Sequence, residues 1–239
     1  MAIQMLYSPY AGMAMNTIGI ESGQVRILLV DDHPVVREGL RMAIATRPEF
    51  HICGSVENTV QAAEAITREK PDVMVLDLSL QGTSGLDFIK HLQISDPGLP
   101  ILVLSAMDET DYAERAIRAG AKGYIMKQEP LEKLIKAMVA VSEGRVYLSD
   151  AIRSSLVQRM VKNSSTDSAS PVAELSDREL EVFSEVGSGL GTRQIAEKLH
   201  LSVKTVEAHF ANIKRKMKLE GSSALLRSAI RWLDAKNPI

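Results

Sequence analysis

Val25-Arg26-Ile27-Leu28-Leu29-Val30-Asp31-Asp32-His33-Pro34 is the stretch that decides the fold. A short apolar run ends abruptly in two carboxylates, and Pro34 stands where the first turn of a helix tolerates proline best. Comparable apolar runs recur at 51–56, 73–77, 101–104 and 123–126. Helical patterns separate them, at 59–69, 86–93, 109–119 and 130–142. Pro71 stops one of these helices and Gly120 ends another as a C-terminal glycine does. Short apolar strands alternating with amphipathic helices imply a parallel sheet covered on both faces. Five β-α units then account for residues 25–143.

Such a sheet gathers its functional side chains outside the carboxyl ends of its strands. Asp31 and Asp32 follow the first run, Asp77 ends the third, Ser105 follows the fourth and Lys127 follows the fifth. An aspartate at any one strand end is ordinary, because the next loop is polar and Asp caps helices. The ordered set is different. Three converging carboxylates repel one another unless a divalent cation joins them, and an ammonium and a hydroxyl beside them suit a phosphoryl group. The chemistry expected is the formation and sensing of an aspartyl phosphate.

Composition fits this reading. A chain of 239 residues, 45% hydrophobic and 24% charged, suits a soluble protein of one or two domains. With four Phe and one Trp, aliphatic residues must fill the core. Cys53 is the only cysteine, which excludes an intrachain disulfide and suits a reduced cytoplasm. Within the run 51–56 it is expected to be a small buried hydrophobe. No apolar run is long enough to span a bilayer. Residues 1–23 contain no Lys or Arg, unlike a secretory leader. They are expected to be a disordered extension, with Met13 and Met15 as alternative starts.

Charge is unevenly placed. Residues 172–239 hold 11 Lys and Arg against 9 Asp and Glu, whereas residues 1–171 hold 17 against 21. A basic excess in the small second part hints at nucleic acid. The expected organisation is the extension at 1–23, an α/β domain at 24–143, a linker at 144–173 with one helix and a flexible tether, and a small all-α domain at 174–239. The tether is the Ser-rich stretch 163–171, whose composition cannot support a packed core.

In the last part, Ser176-Asp177-Arg178-Glu179 has the form of a capping box. Leu180, Val182, Phe183 and Val186 give the helix that follows an apolar side. A short helix at 192–199, the turn His200-Leu201-Ser202 and a basic helix at 203–217 follow. Ser202 is placed as an N-cap. A short helix, a tight turn and a longer basic helix form the helix-turn-helix pattern. A fourth helix starts at Ser222 or Ser223 and runs through Trp232.

Through Asp31-Asp32, Leu76-Asp77-Leu78, Ser105-Ala106, Tyr124 and Lys127, residues 25–143 resemble the receiver domain of bacterial two-component response regulators. The resemblance implies a flavodoxin-like fold with Asp77 as phosphoacceptor for a sensor histidine kinase. It also implies Mg²⁺ held by Asp32, Asp77 and the backbone carbonyl of Ser79, with Asp31 acting through water. Mg²⁺ prefers hard oxygen ligands and keeps several waters, so this set suffices. Lys127 and the metal would neutralise the transferring group. Ser105 would bond a phosphoryl oxygen, letting Tyr124 turn in behind it. The family usually has Met-Pro shortly after the acceptor strand, where this chain has Leu80-Gln81.

Residues 174–235 resemble the LuxR-type helix-turn-helix domain through Leu175-Ser176, Arg178-Glu179, the stretch from Gln194 to Leu199 and the stretch from Ser202 to His209. The whole is therefore similar to NarL/FixJ-type regulators. Lys204, Thr205, Lys214 and Lys216 are expected to grip phosphates of double-stranded DNA. Glu207, Ala208 and Ala211 would face the major groove, where a carboxylate can accept from a cytosine amino group. Val206, Phe210 and Ile213 would face the core, and His209 is expected to be a structural, partly buried group. In the family the last helix makes the homodimer on DNA, while its apolar side here, with Leu225, Leu226, Ile230 and Trp232, could equally finish the monomer core. In the resting state the receiver is expected to cover the recognition helix or its dimer surface. Two rivals remain. A haloacid-dehalogenase-type phosphatase would want Asp-x-Asp where Asp31-Asp32-His33 stands. A pseudo-receiver would lack the full acidic set.

Overall fold

The computed structural model describes residues 24–80, 84–162 and 171–235. The expected extension at 1–23 and the core of the tether, 163–170, lie outside the described residues. Five parallel strands form one sheet in the order β2-β1-β3-β4-β5. They are β1 (Val25–Val30), β2 (Phe50–Val56), β3 (Val73–Leu76), β4 (Ile101–Ser105) and β5 (Gly123–Met126). Helices α1 (Pro34–Ile44), α2 (Thr59–Glu69), α3 (Gly85–Ser95), α4 (Glu109–Ala119) and α5 (Leu131–Ser142) alternate with them.

Side chains alternate across the sheet, as strand geometry requires. Ile27, Leu29, Val73, Val75, Leu102 and Leu104 point to the side of Ile44 of α1 and Leu134 and Met138 of α5. Leu28, Val30, Met74, Leu76, Ile101 and Val103 point to the side of Ala62, Ile89 and Ala113 from α2, α3 and α4. Every residue of β3 is buried, which is why its sequence reads as an unbroken apolar run. Helix ends follow local chemistry. Asn58 caps α2 by accepting from the Gln61 amide, Asp108 caps α4 by accepting from the Thr110 amide, and Gly120 closes α4 at φ 118°.

Not every apolar residue goes inward. Val35 is 84% exposed. Nine residues from Ile44, it lies about half a turn out of phase with the one fully buried residue of α1. Cys53 is half-buried, its thiol directed at the Ile27 carbonyl, and burial pushes its pKa up.

Helix α6 (Asp150–Lys162) packs on α4 through Ile152, and the Ser149 hydroxyl donates to Glu109 at 2.8 Å. A 3₁₀ turn at Pro171–Glu174 leads into α7 (Asp177–Gly187), α8 (Thr192–Lys198), α9 (Val203–Lys216) and α10 (Gly221–Asp234). Their shared core holds Leu180, Phe183, Val186, Ile195, Val206, Ile213, Leu225 and Ala229, with Phe210 packed against it. A Cβ on Gly187 would stand 2.7 Å from the Ala229 carbonyl oxygen, so this glycine is what lets α7 and α10 pack closely.

The capping box of α7 forms as expected. The Ser176 amide donates to Glu179 at 2.8 Å, and the Glu179 amide donates to the Ser176 hydroxyl at 3.3 Å. Lys216, at the end of α9, places its ammonium 2.6 Å from the same carboxylate. Burial raises the pKa of Glu179, but Lys216 and the Ser176 bonds more than reverse that, so it lies below the ordinary value of 4.5. A lowered carboxylate pKa stabilises the fold above the unfolded value and stops doing so as pH falls through the folded one. The thermal midpoint of the helical domain is therefore expected to drop as pH falls below about 4.5. Glu179→Gln should flatten that dependence in calorimetry, and an equally steep fall in the variant would contradict the assignment.

Candidate acceptor site and recognition helix

Sheet register assembles the site. Val30 pairs with Leu76, Leu76 with Val103, and Ser105 with Met126, so the strands end nearly in one row. The Asp77 amide donates to the Val30 carbonyl and the Lys127 amide to the Ser105 carbonyl, both at 2.8 Å. β1 and β3 are neighbours although β2 lies between them in sequence, so the chain reverses direction across the sheet at this point. Asp31 and Asp77 sit at that crevice, the usual ligand position of an open α/β sheet.

The Lys127 ammonium stands 2.7 Å from both Asp31 and Asp77. Those two carboxylates are almost wholly buried, while Asp32 is slightly more open. Ligating atoms of Asp31, Asp32, His33 and Asp77 all lie within 4.8 Å of one another. Burial pushes the pKa of Asp77 up, against the pull of Lys127. Burial also works against the charge on Lys127, but Asp77 and Asp31 outweigh it and hold its pKa up. Two carboxylates thus share one ammonium with Asp32 beside them, and the oxygen-rich donor set suits a hard divalent cation.

His33 had no role in the sequence reading beyond its place in the motif. In the structure its Nδ1 lies 2.7 Å from Asp32 and 3.2 Å from Asp31, and its amide donates to Asp31 at 2.9 Å. The Ser79 amide donates to Asp77 at 3.2 Å, which holds the start of the β3–α3 loop against that carboxylate. Leu80 is buried, and Gln81 lies outside the described residues.

Ser105 is fully buried, and its hydroxyl accepts from the Met107 amide at 3.2 Å. Tyr124 is already turned in, rather than waiting for a phosphoryl contact. It is 1% exposed, and its hydroxyl donates to the Met107 carbonyl at 2.7 Å. Burial pushes its pKa far above the ordinary range. Ser105 and Tyr124 therefore hold the same loop residue from two sides.

On α9, Lys204, Glu207, Ala208 and Ala211 are exposed along one side, and Lys214 is half-buried. Thr205 is spent locally: its amide donates to the Ser202 hydroxyl at 3.0 Å, and the two hydroxyls lie 2.7 Å apart. Lys216 is tied to Glu179 as described. His209 is half-buried, and burial together with Arg178 lowers its pKa, in keeping with a structural role. The receiver leaves the recognition face of α9 open, contrary to one expected form of the resting state. The far end of α10, at Trp232 and Leu233, instead lines a cavity of about 460 Å³ between the receiver and the helical domain.

Residues 27–139 match the response regulator receiver domain family, and residues 173–229 match bacterial regulatory proteins of the luxR family. The chain belongs to the response regulators that join these two domains. It is a phosphorylation-dependent, DNA-binding transcriptional regulator of the two-component type. The oxygen regulatory protein NreC of Staphylococcus epidermidis is 37% identical over 212 residues, covering 87% of this chain and 97% of that relative. A LuxR-family two-component response regulator from Aurantimonas sp. SI85-9A1 is 33% identical, covering 58% of this chain and 99% of that one, at a TM-score of 0.54. RcsB from Salmonella enterica serovar Typhimurium, solved bound to a promoter with a phosphomimetic, shares the fold at 24% identity and a TM-score of 0.58. That match covers 85% of this chain and 97% of RcsB. Among the described residues no helix is long and apolar enough to cross a membrane.

Proposed function

We propose that Asp77 is the residue that carries the phosphoryl group, received from a sensor histidine kinase in the cytoplasm with Mg²⁺ bound beside it. The observation that carries this reading is the convergence of Asp31 and Asp77 on the Lys127 ammonium, at 2.7 Å each. Asp32, Asp77 and the Ser79 carbonyl would hold the ion, with Asp31 acting through water. Bound Mg²⁺ would supply charge neutralisation on the transferring phosphoryl oxygens. Asp77 supplies the attacking oxygen, Lys127 orients and neutralises one phosphoryl oxygen, and Ser105 stands ready to donate to another. The chain thus catalyses its own phosphorylation and dephosphorylation without turning over an external metabolite. Incubation with acetyl phosphate is expected to label the protein with Mg²⁺ present and to stop labelling when EDTA removes it. Labelling that survives chelation would count against the metal.

The output is a homodimer on double-stranded DNA, joined through α10. Lys204 and Lys214 grip phosphates, while Glu207, Ala208 and Ala211 face the base edges. Lys204→Ala is expected to reduce the slope of log affinity against log salt by about 1. Lys216→Ala is expected to lower the melting midpoint instead, because it leaves Glu179 without its ion pair. An equal salt-slope change in both variants would show that Lys216 is a DNA contact after all.

A further inference from the structure

The two domains touch along the start of α7. Asp177 accepts from Arg115 of α4 and from Lys90 of α3, each at 2.8 Å, and Glu181 accepts from the hydroxyl of Ser84 at 3.0 Å. Beside these contacts the two surfaces part, leaving the cavity of about 460 Å³. That volume lies within the range of small-molecule sites, and such sites favour domain boundaries.

The receiver wall of the cavity carries Leu78, Leu80, Met107 and Tyr112, and the helical wall carries Leu199 and Trp232. Tyr112 is 2% exposed, and among the described residues its hydroxyl has no hydrogen-bond partner. A hydroxyl can both donate and accept, and one left unmet in the interior costs stability. Tyr124 is equally buried but has its partner in the Met107 carbonyl. The orphan at Tyr112 is thus a polar handle on an apolar wall.

The same cavity is acidic. Asp32, Asp108, Asp111, Glu181 and Glu185 line it against Arg178 and Lys198, so five acids face two bases, an excess of three negative charges. Both bases are already paired, Arg178 with Glu181 and Lys198 with Glu185. Burial pushes the pKa of Tyr112 up, and the charge of Glu181 pushes it further. The hydroxyl therefore stands in a negative field, which a poorly solvated interior strengthens. An anionic ligand would be repelled there. A neutral one would meet the hydroxyl and leave the field unanswered.

We propose that this interdomain cavity is a binding site for a small organic cation, a primary amine on a compact apolar body. Its ammonium would donate to the Tyr112 hydroxyl and lie among the acids, while its body covers Leu78, Met107 and Trp232. Tyr112 and Trp232 add aromatic surface, which attracts ammonium groups. The site takes residues from both domains, so neither holds it alone.

Trp232 is the single tryptophan of the chain and lines the cavity, so its fluorescence reports occupancy without a label. The full chain is titrated in EDTA, which keeps divalent cations from Asp32, with phenethylamine, 2-phenylethanol and phenylacetate in turn. Phenethylamine is expected to give a saturable change and to bind at least about tenfold more tightly than the alcohol or the acid. Tyr112→Phe removes one oxygen. It should weaken the amine about tenfold, while its thermal midpoint without ligand equals or exceeds that of the parent. From the other domain, Glu185→Gln should weaken the amine about threefold, and Lys198→Gln should tighten it by a similar factor.

A response shared equally by the three compounds, an amine affinity indifferent to the charge changes at Glu185 and Lys198, or no saturable response to the amine would overturn the proposal. So would a Tyr112→Phe protein with a lower midpoint and unchanged amine affinity, the result expected of a trapped water only. Trp232 also lines a neighbouring cavity of about 560 Å³, together with Arg118. An amine response that changes with Arg118→Gln and not with Tyr112→Phe would place the ligand there and overturn the assignment as well.

Discussion

An Asp77→Asn protein is expected to take no label from acetyl phosphate and to bind its operator equally with and without the donor. The amide has nearly the shape of the carboxylate but lacks the anionic oxygen that attacks phosphorus. Loss of the nucleophile should lower labelling by at least about 10²-fold, to background. The fold should survive. Asp77 is buried beside Asp31, and burial already pushes its pKa up, so removing its charge relieves repulsion between neighbouring acids. Lys127 keeps Asp31 as a partner at 2.7 Å. Chemical denaturation of the variant should therefore match or exceed the parent. Labelling at the parental rate would move the acceptor elsewhere and remove the basis for the switch.

Lys127→Ala is expected to have the second large effect, on both stability and chemistry. Its ammonium stands 2.7 Å from both Asp31 and Asp77, and its side chain is only 16% exposed. Taking away one partner of a buried ion pair leaves uncompensated charge and costs about 3 kcal/mol or more. Mg²⁺ brings a cation to the same acids, so added Mg²⁺ should recover part of the loss. The variant's denaturation midpoint should then rise more steeply with Mg²⁺ concentration than the parent's. Phosphorylation should slow as well, because a charge on the transferring group goes unneutralised. A midpoint equal to the parent's in EDTA, with no differential response to Mg²⁺, would show that Lys127 does not balance these carboxylates.

The acidic site was legible in the sequence for a particular reason. Parallel strands bury both faces, so they appear as apolar runs, and the residue that ends each run lies at the same edge of the sheet. Asp31, Asp77 and Lys127 could be placed together without coordinates, and they meet at 2.7 Å. Ser176 and Ser202 were equally readable, because an N-cap is decided within one turn of chain. Helical phase at α1 agrees with burial: Val35 stands about half a turn out of phase with buried Ile44 and is 84% exposed. Thr205 and Lys216 resembled phosphate contacts by position, but each finds a nearer partner, Ser202 and Glu179.

Local order in the chain determined the two domains, the strand ends, the helix caps and the identities of the acidic, basic and hydroxyl groups. These follow from hydrophobic period and from bonds that close within a few residues. Tertiary structure alone decided that Tyr124 is turned inward, that His33 leans on Asp31 and Asp32, and that Asp177 and Glu181 of α7 face Ser84, Lys90 and Arg115 across the domain boundary. No period or cap encodes such contacts. They join residues as many as 97 positions apart, and their partners are chosen by how two finished surfaces meet.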